Sequence, residues 1–291
     1  MNPLRGIVMV VMAVGFFTVM GTMVKLVSGR VPAGEAVFFR SLVALPVVLI
    51  MLWFQGQLRD GLKTTIPLGH LGRGLAGTLG VGLGFAGLAY ISLPEATAIR
   101  FASPIFVTIF AVVLLGEHVR LFRLSAVVIG LFGVCIILAP RLTMSTGEGA
   151  QIGALLTLIA AISASLAHVQ VKYLSRTETT GAIVFYFSLT SLCLSMLTAP
   201  FGWVFPTAKE FILLMIGSIA GSAGQLLLTA SFRYGDASLL SPFTYSSMLW
   251  AIVLGFFVFG DLPTVQTLIG AAIVIAAGLA ILWREQKMAQ N

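Results

Sequence analysis

The chain has 291 residues, of which 58% are apolar and 9% charged, with a mean hydropathy of +1.05 and a formal net charge of +7. So few charged groups cannot cover a core of that size in water, which excludes a soluble globular domain. The basic excess would suggest a nucleic-acid partner in a soluble protein, but in this chain it sorts by membrane side instead.

A membrane-spanning helix needs about 20 predominantly apolar residues. Ten such segments run along the chain, over 5–27, 34–54, 71–91, 94–115, 121–140, 151–172, 181–201, 210–231, 237–259 and 263–283. The first stays apolar past Ala13 with no small-residue cleavage site, so it reads as a span and not as a signal peptide. The second carries Arg40 six residues inside its start. The third is rich in glycine and holds Thr78 and Tyr90. Gly80 and Gly84 make a small-xxx-small face that suits either close static packing or the sliding that a gate needs. Its Gly82-Leu83-Gly84-Phe85-Ala86-Gly87 run matches a dinucleotide fingerprint in form only, because no strand precedes it and the phosphate would lie in lipid.

The fourth span opens on Pro94 and offers Thr97, Arg100, Phe101, Ser103 and Thr108, with Pro104 placed to interrupt backbone hydrogen bonding. The sixth brings Ser165, His168 and Lys172 toward its cytoplasmic end. Lys172 reads as an interfacial anchor, and His168 is the deep group that titrates near neutrality. The eighth carries Ser218, Ser222, Gln225 and Thr229 as one helical stripe, which faces either a water-filled path or a neighbouring helix. The ninth holds Ser241, Thr244, Tyr245 and Met248, with Trp250 close by and Pro242 near its start. Cys135 and Cys193 are single mid-span residues, expected to pack, with no metal or disulfide spacing.

The second five spans repeat the first five. Gly116-Glu117 through Leu138 aligns without a gap on Gly260-Asp261 through Leu282, an offset of 144 residues. A unit with an odd number of spans crosses the membrane in opposite senses in its two copies, which predicts a pseudo-two-fold axis in the membrane plane. The predicted architecture is an all-α polytopic membrane protein with ten helices in two inverted repeats, residues 1–145 and 146–291.

With the N-terminus inside, eleven basic residues, from Arg5 to Lys287 and including Arg73 and Lys172, fall on the cytoplasmic side. Lys25, Arg30, Arg141 and Lys209 fall outside. This bias predicts both termini in the cytoplasm. Arg40 and Arg100 remain within spans, each roughly 9 Å below the outer end. A guanidinium fork suits a carboxylate or phosphate, so both are candidate anchors for an anionic group. The alternative is snorkelling to the outer headgroups, or pairing with Glu35 or Glu95.

All ten acids sit at or near span ends, Glu95 being the one best placed to couple protons. No catalytic constellation, zinc-ligand pair or Walker loop occurs, so neither an enzyme nor a nucleotide-driven pump is expected, and no cofactor or metal is called for.

The run Ala96-Thr97-Ala98-Ile99-Arg100-Phe101-Ala102-Ser103-Pro104, continuing to Gly116-Glu117, resembles the fourth-span signature of the EamA-type drug/metabolite transporters. Pro242-Phe243-Thr244-Tyr245, continuing to Phe259-Gly260-Asp261-Leu262-Pro263, resembles the matching ninth-span signature, with Asp261 where glutamate is commoner. Phe39-Arg40 fits the second-span pattern. The resemblance implies a central cavity lined by the third, fourth, sixth, eighth and ninth helices, and a bacterial-type inner-membrane location. Within the family the chain is similar to the branch exporting aromatic and neutral amino acids.

The expected substrate site is therefore Arg40, Thr78, Tyr90, Thr97, Arg100, Phe101, Ser165, His168, Ser222, Gln225, Tyr245 and Trp250, with Gly80, Gly84, Pro104 and Pro242 as hinges. The expected partners are a small metabolite and the lipid bilayer, with no nucleic acid, and a monomer suffices to enclose the path. Uptake of an anionic, nucleoside-like or vitamin-like metabolite, and lipid flipping, remain as alternatives.

Overall fold

The computed structural model describes residues 3–116, 148–260 and 264–289, with scattered positions between 125 and 136. Every regular element among them is helical. The first three spans are α1 (Pro3–Val27), α2 (Ala33–Phe54) and α3 (Pro67–Leu88). The fourth is split into α4 (Leu93–Arg100) and α5 (Ser103–Leu115). Then come α6 (Glu148–Leu174), α7 (Thr180–Met196) and α8 (Ala208–Ser231). The ninth is broken into α9 (Ala237–Leu240), a 3₁₀ segment (Ser241–Ser246), α10 (Ser247–Leu254) and a π turn (Gly255–Phe259). The last is α11 (Val265–Ala289). More than half of the predicted fifth span, 121–140, falls outside the described residues.

Local chemistry explains most boundaries. Pro67 opens α3, where its missing N–H has no partner to lose. Reciprocal capping boxes start α4 (Ser92 with Glu95) and α8 (Thr207 with Glu210). Pro104 sits in the first turn of α5 and cannot donate to the Arg100 carbonyl, so the fourth span divides at Phe101-Ala102. Gly116 and Gly260 end α5 and the π turn with φ of 65° and 70°, the left-handed conformation that closes helices at low cost for glycine.

Among the described residues six helices are long and apolar enough to cross a membrane: Leu4–Val27, Ala33–Phe54, Pro67–Leu88, Glu95–Leu115, Gly149–Leu174 and Ala208–Ser231. Large apolar side chains such as Phe54, Leu68, Val113 and Phe257 point outward, as lipid-facing residues do, and Cys193 is also exposed rather than packed inside.

Inside the bundle α1 lies along α8, α3 along α6, and α2 against α7. Glycines set how closely the first two pairs approach. A Cβ on Gly224 would stand 2.9 Å from the Ala13 carbonyl oxygen, and one on Gly80 would stand 3.0 Å from the Ala164 nitrogen. The pairs bury Val10, Ala13, Val169 and Leu228 on one side and Val24, Phe85 and Leu88 on the other.

Polar ties fasten the ends. Lys25 Nζ donates to the carbonyls of Leu88 and Ile91 (3.3 and 2.8 Å), closing the end of α3. Lys172 Nζ donates to Phe232 and Gly235 (3.2 and 2.8 Å) beyond α8 and pairs with Asp236 at 3.2 Å, so it caps a helix instead of reaching for headgroups. Buried Glu35 accepts from the Val204 N–H at 3.0 Å in the connector before α8. Buried Glu178 accepts from the Thr65 N–H (2.8 Å) and from the Thr65 and Thr64 hydroxyls (3.0 and 3.2 Å) in the connector before α3.

Candidate functional site

A cavity of about 190 Å³ opens where α1, α2, α3, α4, α6, α7 and α8 converge, with Thr244 and Ser247 of the ninth span contributing to its wall. At roughly 10–15 Å³ per water on this measure it has room for a metabolite and not merely one ion. Its wall is largely apolar, with Phe17, Phe85, Phe101 and Phe187 supplying aromatic faces. The Thr18 and Thr97 hydroxyls are spent on their own helices, donating to Val14 and Leu93.

Three arginines line this space, and no carboxylate does among the described residues. Arg40, on α2, is 4% exposed; its Nη2 donates to Gln225 Oε1 at 3.2 Å and its guanidinium carbon lies 5.0 Å from the centre of the Phe187 ring. Arg73, on α3, is 3% exposed and lies 3.9 Å from the same ring centre. Arg40 Nε and Arg73 Nε and Nη1 have no protein partner. Arg100 ends α4 and reaches across to α3, where a Cβ on Gly84 would collide with its Nη2. A Cβ on Gly77 would likewise collide with Arg73 Nη1.

The energetics of this cluster are out of balance. A cation–π contact supplies about 2 kcal/mol when desolvated. Taking a guanidinium out of water costs several kcal/mol per ion. One aromatic ring shared by two cations cannot offset that, and the two also repel each other. What completes such a site is an acceptor that matches the fork, which a carboxylate does with two parallel N–H···O bonds.

Of the residues expected at the site, Arg40, Thr97, Arg100, Phe101, His168 and Gln225 line the cavity, as does Gly80. The His168 ring lies near Phe232, with centroids 6.0 Å apart. Thr78 turns instead toward α7, its Oγ1 2.6 Å from Ser191 Oγ. Ser165 is buried beside Ser103, with Oγ atoms 2.8 Å apart, and its hydroxyl also donates to the Ala161 carbonyl. Ser222 donates to the Ser218 carbonyl, away from the wall. Tyr90 is 52% exposed and packs beside Gly153, and Trp250 is 46% exposed and rests on Gly15. Gly84 is occupied as the berth of Arg100. Pro104 is buried in the first turn of α5. The side chains of Tyr245 and Pro242 lie outside the described residues.

One assignment from the sequence needs correction. Arg73 lines the cavity and does not sit at the cytoplasmic face: α3 begins at Pro67, four residues earlier than the hydropathy pattern suggests, which sets Arg73 six residues inside the helix instead of two. The opening turns contain Gly69, His70, Gly72 and Gly74, which depress hydropathy without breaking the helix. The same shift places His70 3.6 Å from Glu178. Phe187, the ring under both cations, was not anticipated, since one Phe in an apolar span carries no positional signal. Among the described residues no group of three His, Cys, Asp or Glu could hold a metal ion.

The sequence profile of the EamA-like transporter family matches this chain twice, over residues 4–139 and 151–283. Among curated proteins it is 30% identical over 265 residues to the S-adenosylmethionine uptake transporter of Rickettsia bellii, covering 91% of this chain and 89% of that one. It is 28% identical over 280 residues to the pseudopaline exporter CntI of Pseudomonas aeruginosa, covering 95% of each. A solved crystal structure superposes with a TM-score of 0.71 at 19% identity, over 96% of this chain and 98% of the other, which speaks to the fold alone.

Proposed function

For this chain, which belongs to the EamA-like transporter family, we propose secondary transport of a carboxylate-bearing metabolite, with amino acids and their derivatives exported by alternating access through the central cavity. The chain is a multi-pass membrane transporter of bacterial kinship and not an enzyme. The observation that carries the finer reading is the set of three arginines in an otherwise largely apolar and aromatic cavity wall, two of them with buried N–H groups that have no protein partner. Guanidiniums suit the carboxylate end of an amino acid, and phenylalanine rings suit its body.

The two halves, 1–145 and 146–291, act in this reading as inverted repeats. Supporting it are the doubled profile match and the corresponding roles of Lys25 with Lys172, Glu35 with Glu178, and Gly116 with Gly260. The pairing of α1 with α8 and of α6 with α3 is what exchange of the two halves would produce. The broken fourth and ninth spans are the moving parts, because their interrupted backbones bend at least cost. Both termini then lie in the cytoplasm of a bacterial-type inner membrane.

The test is flux of labelled phenylalanine, threonine, S-adenosylmethionine and a nucleoside into proteoliposomes, with and without a pH gradient. Saturable amino-acid flux suppressed by unlabelled amino acid supports the reading, and its pH response reports coupling. Flux of the nucleoside alone discards it.

A second reading is uptake, favoured by the Rickettsia relatives, which are S-adenosylmethionine uptake transporters. Against that substrate, a sulfonium would meet three cations and no lining carboxylate among the described residues. Counterflow with S-adenosylmethionine outside separates the two.

A further inference from the structure

We infer that the metabolite the cavity favours carries two anionic groups set apart, as an acidic amino acid or another dicarboxylate does. The inference rests on the cavity being the transport site, and it narrows that reading to one substrate class.

The argument is geometric. The three cations do not form one cluster but two stations on the same face of α3. Arg73 lies against Gly77 and shares the Phe187 ring with Arg40, which makes the first station. Arg100 lies against Gly84, which makes the second. Gly77 and Gly84 are seven residues apart, two turns and about 10 Å along the helix on one face. A single carboxylate held at one station leaves the other facing an apolar wall.

Satisfaction of hydrogen bonds points the same way. Arg40 Nε, Arg73 Nε and Arg73 Nη1 are buried without a protein partner at the first station. Arg100 makes no hydrogen bond or ion pair with any described residue at the second. The first station therefore holds buried donors without a protein partner, the second sets a part-exposed guanidinium at the cavity wall, and no lining acid competes for either among the described residues. One carboxylate matches one fork, so two stations ask for two anions on one molecule.

The experiment uses the purified full chain in detergent and compares binding of adipate, of its monoamide adipamate, and of glycerol 3-phosphate, with phenylalanine flux measured in parallel in proteoliposomes. Adipate and adipamate match in length and differ by one charge. Adipate is expected to bind about tenfold or more tightly than adipamate, because the second fork engages only a second anion. Glycerol 3-phosphate, whose charge sits on one group, is expected to fall with adipamate. Arg100→Gln should remove the preference for adipate while leaving adipamate binding within about twofold, and Arg100→Lys should restore part of it. A merely structural arginine would lower both ligands together, with loss of monodisperse protein. Equal binding of adipate and adipamate, or a lead for glycerol 3-phosphate, overturns the inference. So does absence of binding by all three, and phenylalanine flux then decides separately whether the amino-acid reading stands.

Discussion

Glu178 and Arg73 are equally buried, at 3% exposure each, yet their surroundings are opposites. The carboxylate gathers a backbone N–H and two hydroxyls from Thr64 and Thr65, with His70 3.6 Å away. The guanidinium keeps two nitrogens unmatched and shares one ring with another cation. Burial alone therefore does not separate structure from function in a membrane bundle. The separation lies in whether the buried charge already has its partners.

The comparison can be broken most sharply at Glu178. Glu178→Ala strands the Thr65 N–H and its neighbours, and removing one member of such a buried network costs about 3–5 kcal/mol. The expected result is a large loss of folded protein by size-exclusion chromatography and thermal unfolding. At Arg73 the opposite pattern is expected. Arg73→Met removes a buried charge without stranding a partner, so stability should hold or rise, while substrate flux falls about a hundredfold. If Arg73→Met unfolds the protein, the contrast between the two sites fails.

Arg100→Ala tests the second station. Flux of dicarboxylate substrates should drop about tenfold while the melting temperature stays within a few degrees. Equal loss of both would remove Arg100 from the anchor role.

Acid titration sharpens the Glu178 side. Burial alone would raise this carboxyl, but the Thr65 N–H and the Thr65 and Thr64 hydroxyls hold it below its ordinary value of 4.5. A carboxylate depressed on folding contributes stability above its unfolded value and loses it as pH falls through the folded one. Glu178→Gln should therefore flatten the loss of stability below that ordinary value, read as melting temperature against pH. The smallest effect is expected at Tyr90 and Trp250, which face outward. Alanine at either should change flux by less than about twofold, as scattered surface substitutions do.

Much of the scaffold was legible in the sequence, because membrane helices announce themselves by uninterrupted apolar length. The first, second, sixth and eighth predicted spans agree with α1, α2, α6 and α8 to within three residues. The seventh ends at Met196 and not at 201, because Pro200 follows in a 3₁₀ turn. The site was less legible. Arg40 and Arg100 stood out as charges inside apolar runs, but Arg73 lay among glycines and His70, where hydropathy drops even though the helix continues. Aromatic side chains misled for a different reason. In lipid an outward Tyr90 and an inward Phe101 are equally apolar in their setting, so sequence cannot tell which way either faces.

The berths at Gly77 and Gly84 carry a consequence for how such a protein could change its diet. Each guanidinium rests where a side chain would have been, so the missing Cβ atoms determine how far the cations stand back from the lumen. A methyl group at either position would push its arginine off the face of α3 toward the centre and change the geometry between the stations. Selectivity for the length of a cargo could then drift through alanine and glycine alone, with every charged residue left in place.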